Sequence, residues 1–139
     1  MVGIKFRSTC PIGSVLDILG DKWSLLIIRD LAFMGKATFG DFASSEEKIS
    51  TNILADRLSW LELWGMISKN PDPTNKKKFL YKLTEKGVDL LPILLEMILW
   101  SDKYLPEHIA PDAKTFALQI RENKDGLLEI LKMKLLGNS

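Results

Sequence analysis

The chain has 139 residues, of which 46% are hydrophobic and 27% charged, so it can bury a core of the size of one domain. Nineteen basic and eighteen acidic residues leave a formal net charge of +1, which by itself favours neither nucleic acid nor an acidic substrate. The single cysteine, Cys10, and the single histidine, His108, exclude zinc fingers and intrachain disulfide scaffolds. We expect no metal site and no cofactor.

Two segments bear on the location of the protein. Residues 1–5 lack the apolar run of a signal peptide, and the unpaired cysteine suits a reducing compartment. The longest mostly apolar stretch, Val88–Leu105, contains four charged residues and Pro92, which argues against a membrane span. We therefore expect a cytoplasmic protein that makes no contact with membranes.

Capping residues and glycines divide the first half of the chain into four predicted helices. Pro11 suits a first helical position, so Cys10 is expected at or near an N-cap. A polar turn at 44–48 separates the third helix from the fourth. The predicted helices run from Pro11 to before Gly20, from Lys22 to Met34 after an Asp21 cap, from Thr38 to about Ala43, and from about Ser50 to Trp64.

The periodicity changes after Gly65. Alternating apolar residues predict a hairpin with strands over 66–69 and 79–83 and a long basic tip over 71–78. A long continuous helix is predicted from Thr84 to about Tyr104, followed by a proline-containing linker over 106–112. Two further helices, near 112–123 and 126–136, complete the chain.

This order of elements is the layout of a winged helix-turn-helix. The predicted fold class is mainly α with a small β-hairpin (α+β), with flanking dimerisation helices. We expect one domain over 1–139, with a DNA-binding core at 10–87, a wing at 66–83 and dimerisation helices within 84–139. In such a fold the outer face of the recognition helix enters the major groove, and a basic hairpin reaches neighbouring phosphates.

The predicted helix near 50–64 carries the candidate base contacts. Its first turn, Ser50, Thr51 and Asn52, would meet base edges first, although these residue types also act simply as helix caps. The Asn52 amide can pair bidentately with adenine, Ala55 permits close approach, and Ser59 lies one turn further on. Arg57 lies at the edge of the apolar face, where an internal salt bridge and a phosphate contact are both open. The apolar face is predicted to consist of Ile53, Leu54, Leu58, Trp60, Leu61 and Trp64.

Charge is distributed unevenly between helix and hairpin. Residues 41–64 have a balance of minus three, whereas residues 69–86 have a balance of plus four, so phosphate attraction should come largely from the wing. Lys76, Lys77 and Lys78 are the candidate phosphate contacts, and a merely solvated hairpin tip is the alternative. Lys22, Arg29 and Lys36 are expected to add to the attraction.

The sequence from about Cys10 to Tyr104 resembles the HxlR-type family of bacterial transcriptional regulators, relatives of the MarR proteins. The resemblance implies a homodimeric DNA-binding regulator with a recognition helix beginning near Ser50, a wing at Pro71–Lys78, and dimerisation through the N-terminal segment and the helix after the wing. The motifs that carry the resemblance are Cys10-Pro11, Gly20-Asp21-Lys22-Trp23, Leu25–Leu31, Phe39–Phe42, Asn52–Leu58, Leu61, Gly65, Tyr81–Gly87, Pro92 and Trp100.

The helix after the wing has too many apolar residues for one face of a surface helix, so it needs a second buried face. A two-fold interface would supply that face and set the spacing of half-sites on a palindromic operator. Alternatively, the last two helices cover this surface within one chain. The candidate dimer residues are Leu94, Met97, Ile98, Trp100 and Tyr104.

Cys10 has two open interpretations. Backbone amides and the helix dipole at a helix start favour the reactive thiolate, and some members of the resembled family sense oxidants or electrophiles through a cysteine at the matching place. With one cysteine in the chain, sensing would require an intersubunit disulfide, a mixed disulfide with a small thiol, or alkylation. The alternative is a small residue packed near the dimer interface.

Two rival classes remain to be weighed. An enzyme is disfavoured, because His108 stands alone in a proline-flanked linker and the chain has no glycine-rich phosphate loop. A winged-helix module that contacts another protein is the stronger rival, with the acidic segment 41–64 facing that partner instead of DNA.

Overall fold

The computed structural model describes residues 4–137 and consists of helices around one two-stranded antiparallel hairpin. The buried core draws on every part of this arrangement except the last helix, whose leucines pack against it from outside. This is the predicted winged helix-turn-helix architecture. The elements are α1 (Pro11–Leu19), α2 (Ser24–Phe33), α3 (Phe39–Ala43), α4 (Thr51–Leu63), β1 (Ile67–Asp72), β2 (Asn75–Leu83), α5 (Glu85–Val88), α6 (Leu91–Tyr104), α7 (Pro111–Glu122) and α8 (Lys124–Leu136).

Side-chain caps fix the starts of the helices that form the helix-turn-helix. The carboxylate of Asp21 accepts hydrogen bonds from the backbone amides of Trp23 and Ser24, although α2 itself begins two residues later than predicted. Thr38 and Asp41 form a reciprocal capping box at the start of α3. These caps satisfy amides that would otherwise lack partners, so local sequence determines where the helices begin.

Helix α2 lies at the centre of the domain. Ile27 and Ile28 are almost completely buried, and α4 packs beside α2 through Leu54 and Leu61, which are also fully buried. Gly35 ends the α2 segment with φ +64°, a left-handed conformation that glycine adopts without strain. The arrangement leaves the opposite side of α4 exposed.

The hairpin differs from the predicted one because its strands extend much further toward the tip. Residues 70–72 and 75–78 belong to the two strands, and only Pro73 and Thr74 form the turn. Lys76, Lys77 and Lys78 lie in a bulge of β2, between the register pairs Pro71–Phe79 and Asp72–Asn75. The side chain of Asp72 accepts hydrogen bonds from the amide and hydroxyl of Thr74, which closes a tight turn around Pro73. The prediction of a long basic loop over 71–78 is therefore wrong, and the lysines lie on β2.

The predicted continuous helix from Thr84 to Tyr104 is also wrong. The segment divides into the short α5 and the long α6, with Asp89 and Leu90 in a turn between them. Pro92 explains the break, because its ring would clash with the carbonyl of Val88 and it has no amide hydrogen to donate. The break lets α6 change direction after α5 has packed beneath the hairpin.

The last two helices lie close to their predicted ranges. Helix α7 packs along α6, where Arg121 pairs with Asp102. It also contacts α2, because the rings of Phe116 and Phe33 meet edge to face with their centres 5.3 Å apart. Helix α8 contacts α5 and β2. Over residues 4–137, no helix combines the length and apolar character needed to span a membrane.

Candidate nucleic-acid interface

The first turn of α4 presents three polar residues to solvent. Ser50 is the N-cap, and its hydroxyl accepts a hydrogen bond from the backbone amide of Ile53 at 3.3 Å. Thr51 and Asn52 follow it, and both side chains are exposed. Ser50 therefore has a capping role, while the side chains of Thr51 and Asn52 point away from the core and are free to meet a ligand.

The exposed face of α4 continues from Asn52 through Ala55 to Ser59. These residues lie three and four positions apart, so they share one side of the helix, and all three are exposed. The opposite side, which includes Leu54 and Leu58, is buried. Asn52, Ala55 and Ser59 are small enough to let the helix lie against base edges in a major groove. The exposed side chains of Asp56, Glu62 and Leu63 lie beside them on the same side of α4.

Ile53 departs from the sequence prediction. The helical pattern placed it on the buried side of α4, but its side chain is 41% exposed in the first turn. Thr51 and Asn52 beside it are also exposed, so the first turn of α4 is open to solvent in the described residues 4–137. An exposed β-branched residue beside Asn52 can contact a thymine methyl group, so Ile53 belongs with the candidate base contacts. The sequence carried no signal for this exposure.

Arg57 lies within a set of interactions that belong to the domain itself. Its guanidinium donates to the carboxylate of Asp56 at 2.7 Å, lies 3.5 Å from Asp21, and sits over the ring of Trp60. The indole of Trp60 in turn donates to the carbonyl of Ile18 at 2.8 Å. These contacts tie the middle of α4 to α1 and to the start of α2.

Several of the acidic side chains in residues 41–64 are occupied by local partners. Asp41 accepts hydrogen bonds from the amides of Ala37 and Thr38, and these bonds lower the pKa of its carboxyl. Glu47 pairs with Arg29 at 2.6 Å, which lowers the pKa of Glu47 in the same way. The negative balance of this segment is therefore partly neutralised within the domain.

Two of the cations expected to attract phosphate have other roles. Arg29 pairs with Asp30 and Glu47, and Lys36 donates to the hydroxyl of Ser45 at 2.8 Å. Lys22 remains exposed. Of the three cations, Lys22 is therefore the most available to a phosphate, and the expectation that Arg29 and Lys36 add to phosphate attraction stays a prediction.

The three consecutive lysines lie in the bulge of β2, where no cross-strand pairing fixes which face of the hairpin each side chain occupies. The amide of Lys77 donates instead to the side-chain oxygen of Asn75 at 3.1 Å. Beyond the bulge the strand is regular, and Tyr81 and Leu83 are buried against the core while Lys82 is exposed. Lys76, Lys77 and Lys78 are all exposed, so each is available for a phosphate contact.

Helix α6 carries the candidate dimer surface. Trp100 is 60% exposed, Met97 and Tyr104 are also exposed, and Ile98 is half-buried. Leu94 does not belong to this surface, because it is 7% exposed and packs in the core of its own chain. Helix α7 covers one side of α6 and leaves this stripe open, so the last two helices cover only part of the apolar surface.

The stripe on α6 borders an open depression lined by Pro92, Ile93, Glu96, Met97 and Trp100. A second uncovered apolar surface lies on α1, where Ile12 is 72% exposed and Leu16 is also exposed. Exposed apolar patches of this kind are typical of protein–protein contacts.

Cys10 is the N-cap of α1, as predicted, and its thiol is exposed. The sulfur accepts a hydrogen bond from the backbone amide of Gly13 at 3.5 Å, and the backbone amide of Cys10 donates a hydrogen bond to the hydroxyl oxygen of Ser8. Within one chain Cys10 is therefore not a packed core residue. Among residues 4–137 no group of three or more His, Cys, Asp or Glu side chains could hold a metal ion.

Comparisons with known proteins agree with this geometry. The HTH-type transcriptional regulator MT3179 of Mycobacterium tuberculosis (strain CDC 1551 / Oshkosh) is 34% identical over 103 residues, which are 74% of this chain and 64% of that protein. The chain thus spans just under two thirds of the length of this curated relative.

Two solved structures are similar in both fold and sequence. The protein PA1607 superposes with a TM-score of 0.65 and 39% identity, covering 76% of this chain and 70% of that one. The redox regulator HypR in its oxidized form superposes with a TM-score of 0.60 and 30% identity, covering 68% of this chain and 96% of that one. A model of the HxlR-like helix-turn-helix family matches residues 18–109, which include the whole helix-turn-helix and the hairpin. The chain belongs to the HxlR-like helix-turn-helix family.

Proposed function

We propose that this protein is a transcriptional regulator that binds double-stranded DNA, with α4 in the major groove and the hairpin against neighbouring phosphates. The observation that carries the proposal is the exposed face of α4 with the small residues Asn52, Ala55 and Ser59, opposite the buried leucines 54, 58 and 61. Family membership over residues 18–109 supports the same function. The core at 10–87 then binds DNA, and the helices of 84–139 serve assembly.

Asn52 is the residue proposed for direct base readout. Its amide can donate to and accept from one adenine, while Thr51 and Ser59 can bond to either base type. Selection of bound duplexes from random DNA provides the test. Asn52→Ala should lower affinity most for sites with adenine at one position and should relax the preference there, at a cost of about 1–3 kcal/mol. An unchanged base preference would contradict the assignment.

The hairpin is proposed to supply sequence-independent attraction through Lys76, Lys77 and Lys78. Their exposure on a projecting strand supports phosphate contact over a role in packing. Arg57 is proposed to act differently, by fixing α4 to Asp21 and Trp60 instead of meeting phosphate. The salt dependence of DNA affinity separates the two roles, because only a lost phosphate contact reduces its slope.

We propose that the protein acts as a homodimer through the exposed stripe on α6. The exposed apolar surface of α1 is proposed to be part of the same interface. The stripe of Met97, Trp100 and Tyr104 supports this assembly, since it would otherwise remain in water. A two-fold dimer would bind a palindromic operator. Mass measured in solution at micromolar concentration tests the assembly, and a monomer would refute it.

Cys10 is proposed to make DNA binding sensitive to oxidants or electrophiles. Its exposure and the amide contact from Gly13 support a reactive thiol, and the similar structure of HypR is that of a redox regulator. Oxidant-triggered release of DNA should be lost in Cys10→Ser. Release that persists in this variant would remove Cys10 from the proposal.

A winged-helix module for protein contacts is the alternative function. The uncovered apolar surfaces on α1 and α6 favour it as a second candidate. The same selection from random DNA decides between the two: salt-dependent enrichment of an inverted repeat supports the regulator, and the absence of any enriched duplex supports the protein-binding module.

A further inference from the structure

A network of charged and polar side chains joins the end of α2 to the turn between α3 and α4. Arg29 donates to both carboxylate oxygens of Glu47, at 2.6 and 2.9 Å, and to Asp30 at 3.0 and 2.7 Å. Asp30 also accepts the hydroxyl of Ser45 at 2.6 Å, and Lys36 donates to the same hydroxyl. We call these five residues the α2–turn clasp.

Asp30 is the buried centre of the clasp. It is 2% exposed, and a carboxylate removed from water to this extent requires charged or hydrogen-bonding partners. Arg29 supplies two hydrogen bonds, Ser45 supplies one, and the ammonium group of Lys36 lies 3.7 Å away. Arg29 and Ser45 are therefore held in place by Asp30, and Arg29 is thereby aimed at Glu47.

The turn that receives these contacts is anchored at its two ends by Phe42 and Ile49, whose side chains are buried in the core. Its backbone bonds are short-range, from Ser45 to Phe42 and from Lys48 to Ser45, and Lys48 has φ +58°, an unfavourable conformation for a residue with a side chain. Helix α3, which precedes it, has only five residues. The clasp therefore ties Ser45 and Glu47 of the turn to α2 through side-chain contacts, which the local backbone hydrogen bonds do not do.

The recognition helix begins directly after this turn. Ile49 is buried, Ser50 caps α4, and the candidate base contacts start at Thr51. A shift of residues 44–48 would therefore move the first turn of α4 relative to the rest of the domain. The middle of α4 is held separately, through Arg57 and Trp60.

We propose that the α2–turn clasp sets the position of the N-terminal turn of α4 for DNA recognition, with Arg29 and Glu47 as positioning residues that need not touch DNA. The inference rests on the proposed function, because it assigns to that same DNA-binding surface the residues that orient it. Preorganisation of this kind increases affinity by removing the cost of ordering the contact surface on binding.

Glu46 and Glu47 offer a matched pair of variants. Each substitution to glutamine removes one negative charge from the same turn, which should strengthen binding to polyanionic DNA if charge is all that matters. Within residues 4–137 Glu46 makes no ion pair, whereas Glu47 completes the clasp. The clasp therefore predicts opposite signs: Glu46→Gln strengthens or preserves operator binding, and Glu47→Gln weakens it.

The experiment measures affinity for two duplexes: the tightest sequence that the wild-type protein selects from random DNA, and a scrambled version of it. For Glu47→Gln we expect about three- to tenfold weaker binding to the selected duplex, unchanged or slightly stronger binding to the scrambled one, and an unchanged salt slope. Amide hydrogen exchange should accelerate over residues 44–52 and stay unchanged in α2. Equal effects of Glu46→Gln and Glu47→Gln on the selected duplex would overturn the proposal.

Arg29→Lys provides a second variant. It keeps the positive charge beside Asp30, but an ammonium group lacks the planar guanidinium that bonds to the carboxylates of Asp30 and Glu47 at the same time. It should reproduce the loss of specific affinity, and combining it with Glu47→Gln should add little, since both remove the same contact. Fully additive losses would overturn the proposal. If the wild-type protein selects no duplex, the proposed function fails, while faster exchange of residues 44–52 in Glu47→Gln still identifies the clasp as the support of the turn.

Discussion

Replacement of the hairpin lysines tests the proposed phosphate contacts. Each phosphate contact contributes about 0.9 to the slope of log affinity against log salt concentration. Lys76, Lys77 and Lys78 are all exposed and lie in the bulge of β2, where no cross-strand pairing limits which of them reach one DNA backbone. Three contacts give an upper limit of about 2.7 for the loss of slope in the triple alanine variant.

We therefore expect the triple variant to lose between about 0.9 and about 2.7 from the slope, which corresponds to one to three phosphate contacts. The single variants Lys76→Ala, Lys77→Ala and Lys78→Ala show how this loss divides among the three side chains. Lys69 should contribute less, because its ammonium group lies 4.4 Å from the ring centre of Phe79.

The assay is binding of a selected duplex and a scrambled duplex by fluorescence anisotropy between 50 and 200 mM salt. Lys103→Ala/Lys114→Ala is the matched control, since it removes two exposed charges from α6 and α7. An unchanged slope in the triple variant would refute the phosphate role.

Three further predictions concern assembly and stability. Trp100→Glu should convert the dimer to a monomer, measured by mass in solution, because it places a charge in an apolar contact; a dimer that survives would refute the α6 interface. Asp41→Asn should reduce the free energy of unfolding in urea at neutral pH, and the difference from wild type should shrink below about pH 4, because a carboxyl with a lowered pKa stabilises the fold only while ionised. A difference independent of pH would contradict this explanation. Leu54→Ala should cost about 2–5 kcal/mol of stability, because the side chain is completely buried, and it should leave the salt slope of DNA binding unchanged; a loss below about 1 kcal/mol would show that the site is loosely packed.

Local signals account for the parts of the fold that the sequence predicted well. Helix starts at Pro11, Thr38 and Ser50 follow from caps and proline preferences, which act over three or four residues. Gly35 and Gly65 end their segments with positive φ angles. The order of helices and hairpin then follows, and this order indicated the winged helix-turn-helix and the face of α4 that meets solvent.

The sequence predicted two segments incorrectly, the hairpin tip and the helix after the hairpin, because competing local signals favour different structures there. The lysines and prolines around the hairpin tip favour a loop by composition, but the tight turn at Pro73-Thr74 lets the strands extend to it, with the lysines in a bulge of β2. The apolar pattern predicts one long helix through Pro92, but in a continuous helix the carbonyl of Val88 would clash with the proline ring, and the helix divides. In both cases backbone geometry, and not composition, decided the outcome.

The sequence alone determined that the chain forms capped helices around a basic hairpin, because those signals lie between neighbouring residues. Only the tertiary structure decided which side chains are covered. Within residues 4–137 the packing leaves the start of α4, with Ile53, open to solvent, whereas Leu94 is buried because α6 turns it toward the core. The pairing of Arg29 with Glu47, 18 residues apart, was equally invisible to local patterns. Contacts of this kind depend on how helices pack against one another, and the net charge of +1 carries no information about that packing.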